Sequence, residues 1–138
     1  MNKVNLFFFL VLLIGPLAGY TQQDSTQSFE PWQPAKVEKM PSFPGGPEAM
    51  YKFLYSEMRY PADAKRFKVS GQVITQFVIN AAGKMEDIDL IRGMGYGLDE
   101  EAIRVITVMQ EKYTWTPGLH NDKPVAVKYA LPLKFVLQ

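Results

Sequence analysis

Apolar and polar residues alternate most strictly at the end of the chain, where Val125, Val127, Tyr129, Leu131, Leu133, Phe135 and Leu137 are each separated by one residue. A period of two over such a length predicts a β-strand with one buried face. A second alternation follows Gly71: Val73, Thr75, Phe77 and Ile79 share one face, while Ile74 and Val78 add apolar weight to the other. Apolar residues on both faces predict a central strand. "NAAGK" then makes a turn, with Gly83 available for positive φ. The return strand, Met85 to Arg92, carries Glu86, Asp87 and Asp89, which suits a position nearer the sheet edge.

Between and before these strands the period changes to that of helices. Pro47 can open a helix because its missing N–H is not needed in the first turn, and Met50, Phe53, Leu54 and Met58 recur at helical spacing. Tyr60-Pro61 ends it, since the residue before proline is pushed out of the α region. "ADAKRF" predicts a further short turn of helix. Leu98, Ala102, Ile103, Ile106 and Met109 mark the buried face of another helix, with Asp99 as its cap and Leu98 and Ile103 placed for a hydrophobic staple. "YTWTPG" reads as a short extended piece and "LHNDKP" as a polar loop. Val37, Met40 and Phe43 have the spacing of an extended flap, with a plain loop as the alternative.

The N-terminus differs in kind. After Lys3 comes "VNLFFFLVLLIGPLAG", uncharged and apolar, then small and polar residues. That is the layout of a secretory signal peptide, residues 1–21, shorter than the roughly 20 apolar residues of a membrane span. Retention as an uncleaved anchor is the alternative, and in both cases the domain is exported. The mature chain is expected to begin between Gly19 and Gln23. Residues 22–42 contain Pro31, Pro34 and Pro41 among polar residues and read as a linker. Its reach is at most about 3.3 Å per residue, roughly 70 Å in all. Residues 43–138 form the folded domain.

Composition narrows the chemistry. The chain has 138 residues, 47% of them hydrophobic, enough to bury the core of one domain. A net charge of +1 without a long basic run gives phosphate backbones nothing to bind, so nucleic acid is excluded as a partner. Cysteine is absent, which removes disulfides, thiolate catalysis and cysteine zinc sites. His120 is the single histidine, expected on an exposed loop, so no histidine metal site assembles within one chain. The glycine-rich "GMGYG" is the strongest enzyme-like motif, but its spacing is G-x-G-x-G, and Asp99, Glu100 and Glu101 crowd the helix start that would have to receive an anion. Glu86, Asp87 and Asp89 alternate along a strand and do not form a catalytic carboxylate pair. No serine or threonine stands beside a base. The reading is of a non-enzymatic protein without cofactor, metal or catalytic residues.

The segment from Tyr60 to Gln138 closely resembles the TonB C-terminal domain family. The resemblance rests on Tyr60-Pro61, Ala64 and Gly71, the "VITQFVINAAGK" hairpin, "LDEEA", "WTPG" and the closing "LPLKF", in that order. The preceding "VEKMPSFPGGPEAMYKFLYSEM" is similar to an extension found in one subgroup of the family. The resemblance implies a two-layer α+β fold, strand, strand, helix, strand, with an antiparallel sheet packed on helices, an extra N-terminal helix, and the last strand beside the first. It implies binding by β-strand addition of a TonB-box-like extended segment of an outer-membrane transporter, with energy-coupled transport as the setting. Carried over by position, the partner-binding edge falls on Val125, Ala126, Val127, Lys128, Tyr129, Ala130, Leu131 and Leu133, with Tyr60 and Pro61 near the bound peptide. The short linker departs from the long proline-rich spacer of a complete transducer and favours an exported binding domain in the periplasm. Two alternatives stand beside it: a self-dimerising structural module using the same edge, and a short inner-membrane-anchored energy transducer that also meets inner-membrane motor proteins.

Overall fold

The computed structural model describes residues 36–138; the apolar N-terminal stretch, its cleavage site and most of the linker lie outside the described residues. Helix α1 (Gly46–Glu57) and short helix α2 (Ala62–Arg66) precede strands β1 (Gly71–Ile79) and β2 (Met85–Arg92). Helix α3 (Leu98–Lys112) follows, then β3 (Gly118–His120), β4 (Lys123–Val125) and β5 (Val127–Phe135). The main sheet is antiparallel with the order β2-β1-β5, and β3 and β4 form a separate two-stranded sheet. The fold is the two-layer α+β arrangement that the sequence predicts, with β1 central and the last strand beside it.

The core lies between the helices and one face of the sheet. Val73, Phe77 and Ile79 of β1, Leu131, Leu133 and Phe135 of β5, Met50 and Leu54 of α1, and Ala102, Val105, Ile106 and Met109 of α3 make up most of it. Thr75 is the one buried polar residue of the core-facing row, and its hydroxyl donates to the Leu131 carbonyl at 2.9 Å. That bond satisfies the hydroxyl and fixes β5 against β1. Apolar burial extends to the far face of β1 at Val78.

At the β1–β2 turn Gly83 has φ 80°, as its place in "NAAGK" predicts. The Asn80 side-chain oxygen accepts from the N–H groups of Ala82 and Lys84 and closes the turn. β2 is an edge strand, but its alternation is broken by two register shifts, with Asp87 at φ 53° inside the second. These bulges twist the strand and guard an edge that charged residues already protect.

The start of α3 corrects the expected cap. Its N-cap is Gly97 at φ 83°, with no side-chain cap bond. Asp99 lies inside the first turn, and its carboxylate accepts the backbone N–H groups of Met94 at 2.7 Å and Gly95 at 3.1 Å. The glycine loop turns through three successive left-handed residues, Gly95, Tyr96 and Gly97, and its N–H groups need an acceptor more than the helix end does. Ile103 is only part-buried, so no full staple forms; Val105 takes the core position. Met58 falls just outside α1 as its C-cap.

The segment before α1 runs extended and pairs with the chain around β3 through bridges Lys39–Leu119 and Ser42–Thr116. The flap therefore exists, but Pro41 and Phe43 are its buried residues, and Met40 is exposed. Phe43 packs against Tyr113 and Trp115, and Trp115 against Phe77 and Tyr129, so the flap seals an aromatic cluster at one end of the sheet. The expected polar loop at 119–124 is instead a hairpin: Asn121 and Asp122 both have positive φ, the geometry of a tight two-residue turn. His120 belongs to β3 and is half-buried rather than exposed.

Candidate functional site

Strand β5 is nine residues long and hydrogen-bonds to β1 on one side; among the described residues no strand pairs with its other side. The β1–β5 register runs without a shift from Gly71–Phe135 to Ile79–Val127 and passes through Ile74–Pro132. Proline has no N–H, so an unbroken ladder through it requires that Pro132 face away from β1. Successive residues of a strand point their backbone groups to opposite sides. Lys128, Ala130, Pro132 and Lys134 therefore turn their N–H and C=O positions outward, and Val127, Tyr129, Leu131, Leu133 and Phe135 turn theirs to β1. The outward row ends in side chains that are exposed at Ala130, Pro132 and Lys134 and half-buried at Lys128. A polypeptide in extended form meets here open main-chain donors and acceptors at a spacing that it can match.

The strand begins at Val127, so two residues of the expected edge lie outside it. Val125 ends β4, where it pairs with Gly118, and Ala126 is buried at the corner between β4 and β5. Gly118 makes that corner possible: a Cβ on it would stand 2.6 Å from Val127 Cγ2 and 3.0 Å from the Lys39 carbonyl oxygen. At its other end β5 runs on through Lys134 and Phe135, which the expected edge did not include although the "LPLKF" motif and the alternation both reach them. Tyr129 faces the core side, stacked on Phe77 with centroids 5.5 Å apart. Burial pushes its phenol pKa up and the charge of Tyr51 would add to this, so the ring is held as a neutral group.

Tyr60 and Pro61 separate in space. The Tyr60 ring meets Phe135 edge-on at 6.0 Å, and its hydroxyl donates to the Val69 carbonyl with Ser70 Oγ 3.4 Å away. It fastens the α2 segment to the end of β5 and lines a cavity of about 380 Å³ with Tyr55, Met58, Lys134 and Val136. Pro61 instead lies against the glycine loop, where a Cβ on Gly97 would stand 2.9 Å from its own Cβ. A second, more open cavity of about 480 Å³ sits between Leu90 of β2 and Ile103 of α3. Two of its three polar residues are already engaged, with Glu100 exposed: Asp99 holds the glycine loop, and Arg104 pairs with Glu101 at 2.7 Å and donates to the Glu57 carbonyl. Neither cavity gathers a nucleophile with a base, and among the described residues no group of three or more His, Asp or Glu side chains could hold a metal ion.

The comparisons with known proteins agree with this geometry. The model of the family described as Gram-negative bacterial TonB protein C-terminal matches residues 56–137, four residues further upstream than Tyr60 and more than half of the chain. Among solved structures, the Helicobacter pylori TonB C-terminal domain (residues 179–285) is similar at 22% identity and a TM-score of 0.51, covering 64% of this chain and 78% of that one. A shorter form of that domain (residues 194–285) gives 22% identity and a TM-score of 0.48 over 64% and 89% of the two chains. The Pseudomonas aeruginosa TonB C-terminal domain gives 21% and 0.43 over 59% and 79%. No match was found among curated proteins. Domains of this family are non-enzymatic, periplasmic modules of TonB-dependent transport that interact with outer-membrane transporters. With its last strand laid beside the first, one edge of that strand open, and the family pattern matched from residue 56 to residue 137, this chain belongs to the TonB C-terminal domain family.

Proposed function

We propose that this protein is an exported, non-enzymatic binding domain that pairs by β-strand addition with a TonB-box-like extended segment of an outer-membrane transporter and so takes part in energy-coupled transport across the envelope. The observation that carries the reading is the outward ladder of β5, open at Lys128, Ala130 and Lys134 and interrupted only at Pro132, the one residue with no donor to lose. Main-chain bonds supply the affinity of such an addition, and neighbouring side chains select the partner. The recognition edge is Val127, Lys128, Tyr129, Ala130, Leu131 and Leu133, extended here to Phe135, with Tyr60 beside its end.

A set of four proline substitutions tests this. Lys128→Pro and Ala130→Pro each remove one outward donor, worth about 1 kcal/mol, and disturb the neighbouring ladder bonds, and should abolish binding of a TonB-box peptide while the domain stays folded. Val127→Pro and Tyr129→Pro remove bonds to β1 and should cost about 3 kcal/mol or more of stability. Urea midpoints and peptide titrations on the four variants give the answer; equal binding by all folded variants rules out strand addition. Self-pairing through the same edge predicts a concentration-dependent dimer that the peptide competes apart, read by sedimentation.

A further inference from the structure

Phe67 and Tyr96 are large aromatic residues left 57% and 50% exposed, and they meet each other with ring centroids 5.6 Å apart. Neither belongs to the core cluster, and neither lines one of the two cavities described above. Three cations surround them within four consecutive positions: Lys65, Arg66 and Lys68 are all exposed, and the Arg66 guanidinium lies 5.4 Å from the Phe67 ring centroid. Of the neighbouring carboxylates, Asp63 in α2 and Glu100 in the first turn of α3 are exposed, whereas Asp99 is bonded to Met94 and Gly95 and Glu101 to Arg104, so the three cations outnumber the open carboxylates.

The backbone holds this projection in an uncommon shape. Lys68 (φ 54°) and Tyr96 (φ 57°) both occupy the left-handed region that L side chains rarely adopt, and Tyr96 does so between Gly95 and Gly97, also left-handed. An exposed aromatic ring fixed in that conformation points from structure to use. The glycine loop, whose Met94 and Gly95 N–H groups are taken by Asp99, sets the Tyr96 ring beside Phe67.

We infer that Lys65, Arg66, Phe67, Lys68 and Tyr96 form a second interaction surface, independent of β5, that seats on an anionic phospholipid bilayer. The chemistry fits a flat partner with apolar depth and negative charge at its face. The rings enter the boundary between headgroups and acyl chains, with the Tyr96 hydroxyl at the level of the headgroups. The lysine and arginine stems lie along the apolar boundary while their charges meet phosphates, each contributing roughly fivefold to affinity. An acidic polypeptide would need a groove or strand edge to hold its backbone, and this projection offers neither.

The chain contains no cysteine, so one introduced thiol carries the only label. An environment-sensitive fluorophore at Ala62→Cys, the first residue of α2, reports on the projection in the chain lacking residues 1–21, whose apolar stretch would itself enter any bilayer. The same label at Glu111→Cys, about 20 Å along α3 from Leu98, is the control. Phosphatidylcholine vesicles with phosphatidylglycerol should shift the Ala62→Cys emission to the blue and leave the Glu111→Cys emission unchanged, and pure phosphatidylcholine should shift neither. Lys65→Gln/Arg66→Gln/Lys68→Gln should weaken binding roughly a hundredfold, and the corresponding Glu variant by more, and Phe67→Ser/Tyr96→Gly should remove the shift without unfolding, since both rings lie outside the core. An equal shift on neutral vesicles, an equal response of the two labels, or full retention by the charge-reversed variant overturns the proposal. The same shift with soluble polyglutamate and no vesicles overturns it in favour of an acidic protein partner.

Discussion

Gly83 shows how much can rest on one hydrogen atom. It combines φ 80° with a carbonyl that accepts the Trp115 N–H at 2.8 Å, and a Cβ there would stand 1.9 Å from the Trp115 carbonyl oxygen. Gly83→Ala therefore meets both the left-handed penalty and a backbone clash, and should destabilise by about 3 kcal/mol or more. A urea melt reads this directly. Glu101 is the second residue with unusual weight, its side chain 11% exposed. Burial works against its charged form, but bonds from the Arg104 side chain and the Arg59 N–H, with the attraction of both cations, hold its pKa below the ordinary glutamate value. A depressed pKa contributes stability above the unfolded-state value, and that contribution is lost as pH falls through the folded value. Glu101→Gln should cost about 1–2 kcal/mol at neutral pH and flatten the decline of stability on acidification, measured as urea midpoints from neutral to acid pH.

At the scale of elements, the same side chain ties α3 to the joint between α1 and α2, because Arg104 reaches the Glu57 carbonyl while Glu101 holds the Arg59 N–H. The short segment 58–61 is thereby fixed between two helices, and Tyr60 is presented to Phe135. Strand β5 carries its own signature in hydrogen exchange. The N–H groups of Val127, Tyr129, Leu131, Leu133 and Phe135 face β1 and should exchange slowly, whereas those of Lys128, Ala130 and Lys134 should exchange fast. Addition of a TonB-box peptide should slow the second group and leave the first unchanged. Uniform protection along β5 in the free protein would mean that its outer edge is already covered.

For the whole molecule, the sheet order β2-β1-β5 leaves two edges with different treatment. The β2 edge is bulged and acidic, which discourages pairing, while β5 is regular over nine residues and guarded only by Lys128, Pro132 and Lys134. The strand addition proposed above therefore goes to the β5 edge. In the glycine loop the Met94 and Gly95 donors are taken by Asp99, which leaves an anion fewer partners there. ATP, GTP and zinc should leave the thermal midpoint unchanged, and a rise with ligand concentration would contradict this.

How far the sequence reaches follows from the range of the forces involved. Period-two alternation located β1 and β5, the apolar weight on both faces of β1 made it central, and the acidic residues of β2 placed it at an edge, because burial acts on each residue through its immediate surroundings. Which backbone groups of β5 turn away from β1 can likewise be read from Pro132, since that residue carries its constraint within its own ring. What the sequence left open depends on groups distant along the chain. Asp99 suits a helix cap by its position, but its carboxylate goes to Met94 and Gly95, whose loop conformation demanded an acceptor. Val125 continues the alternation of β5 without a miss, yet it pairs with Gly118, because the turn at Asn121 and Asp122 and the close approach at Gly118 bend the chain at Ala126. Likewise Tyr60 and Pro61 are adjacent in sequence and part company in the fold, one facing Phe135 and the other Gly97. The sequence by itself determined the elements and their buried faces; the tertiary structure decided where β5 begins, what Asp99 binds and which aromatic rings stay at the surface, since each of those turns on contacts that only the packed chain creates.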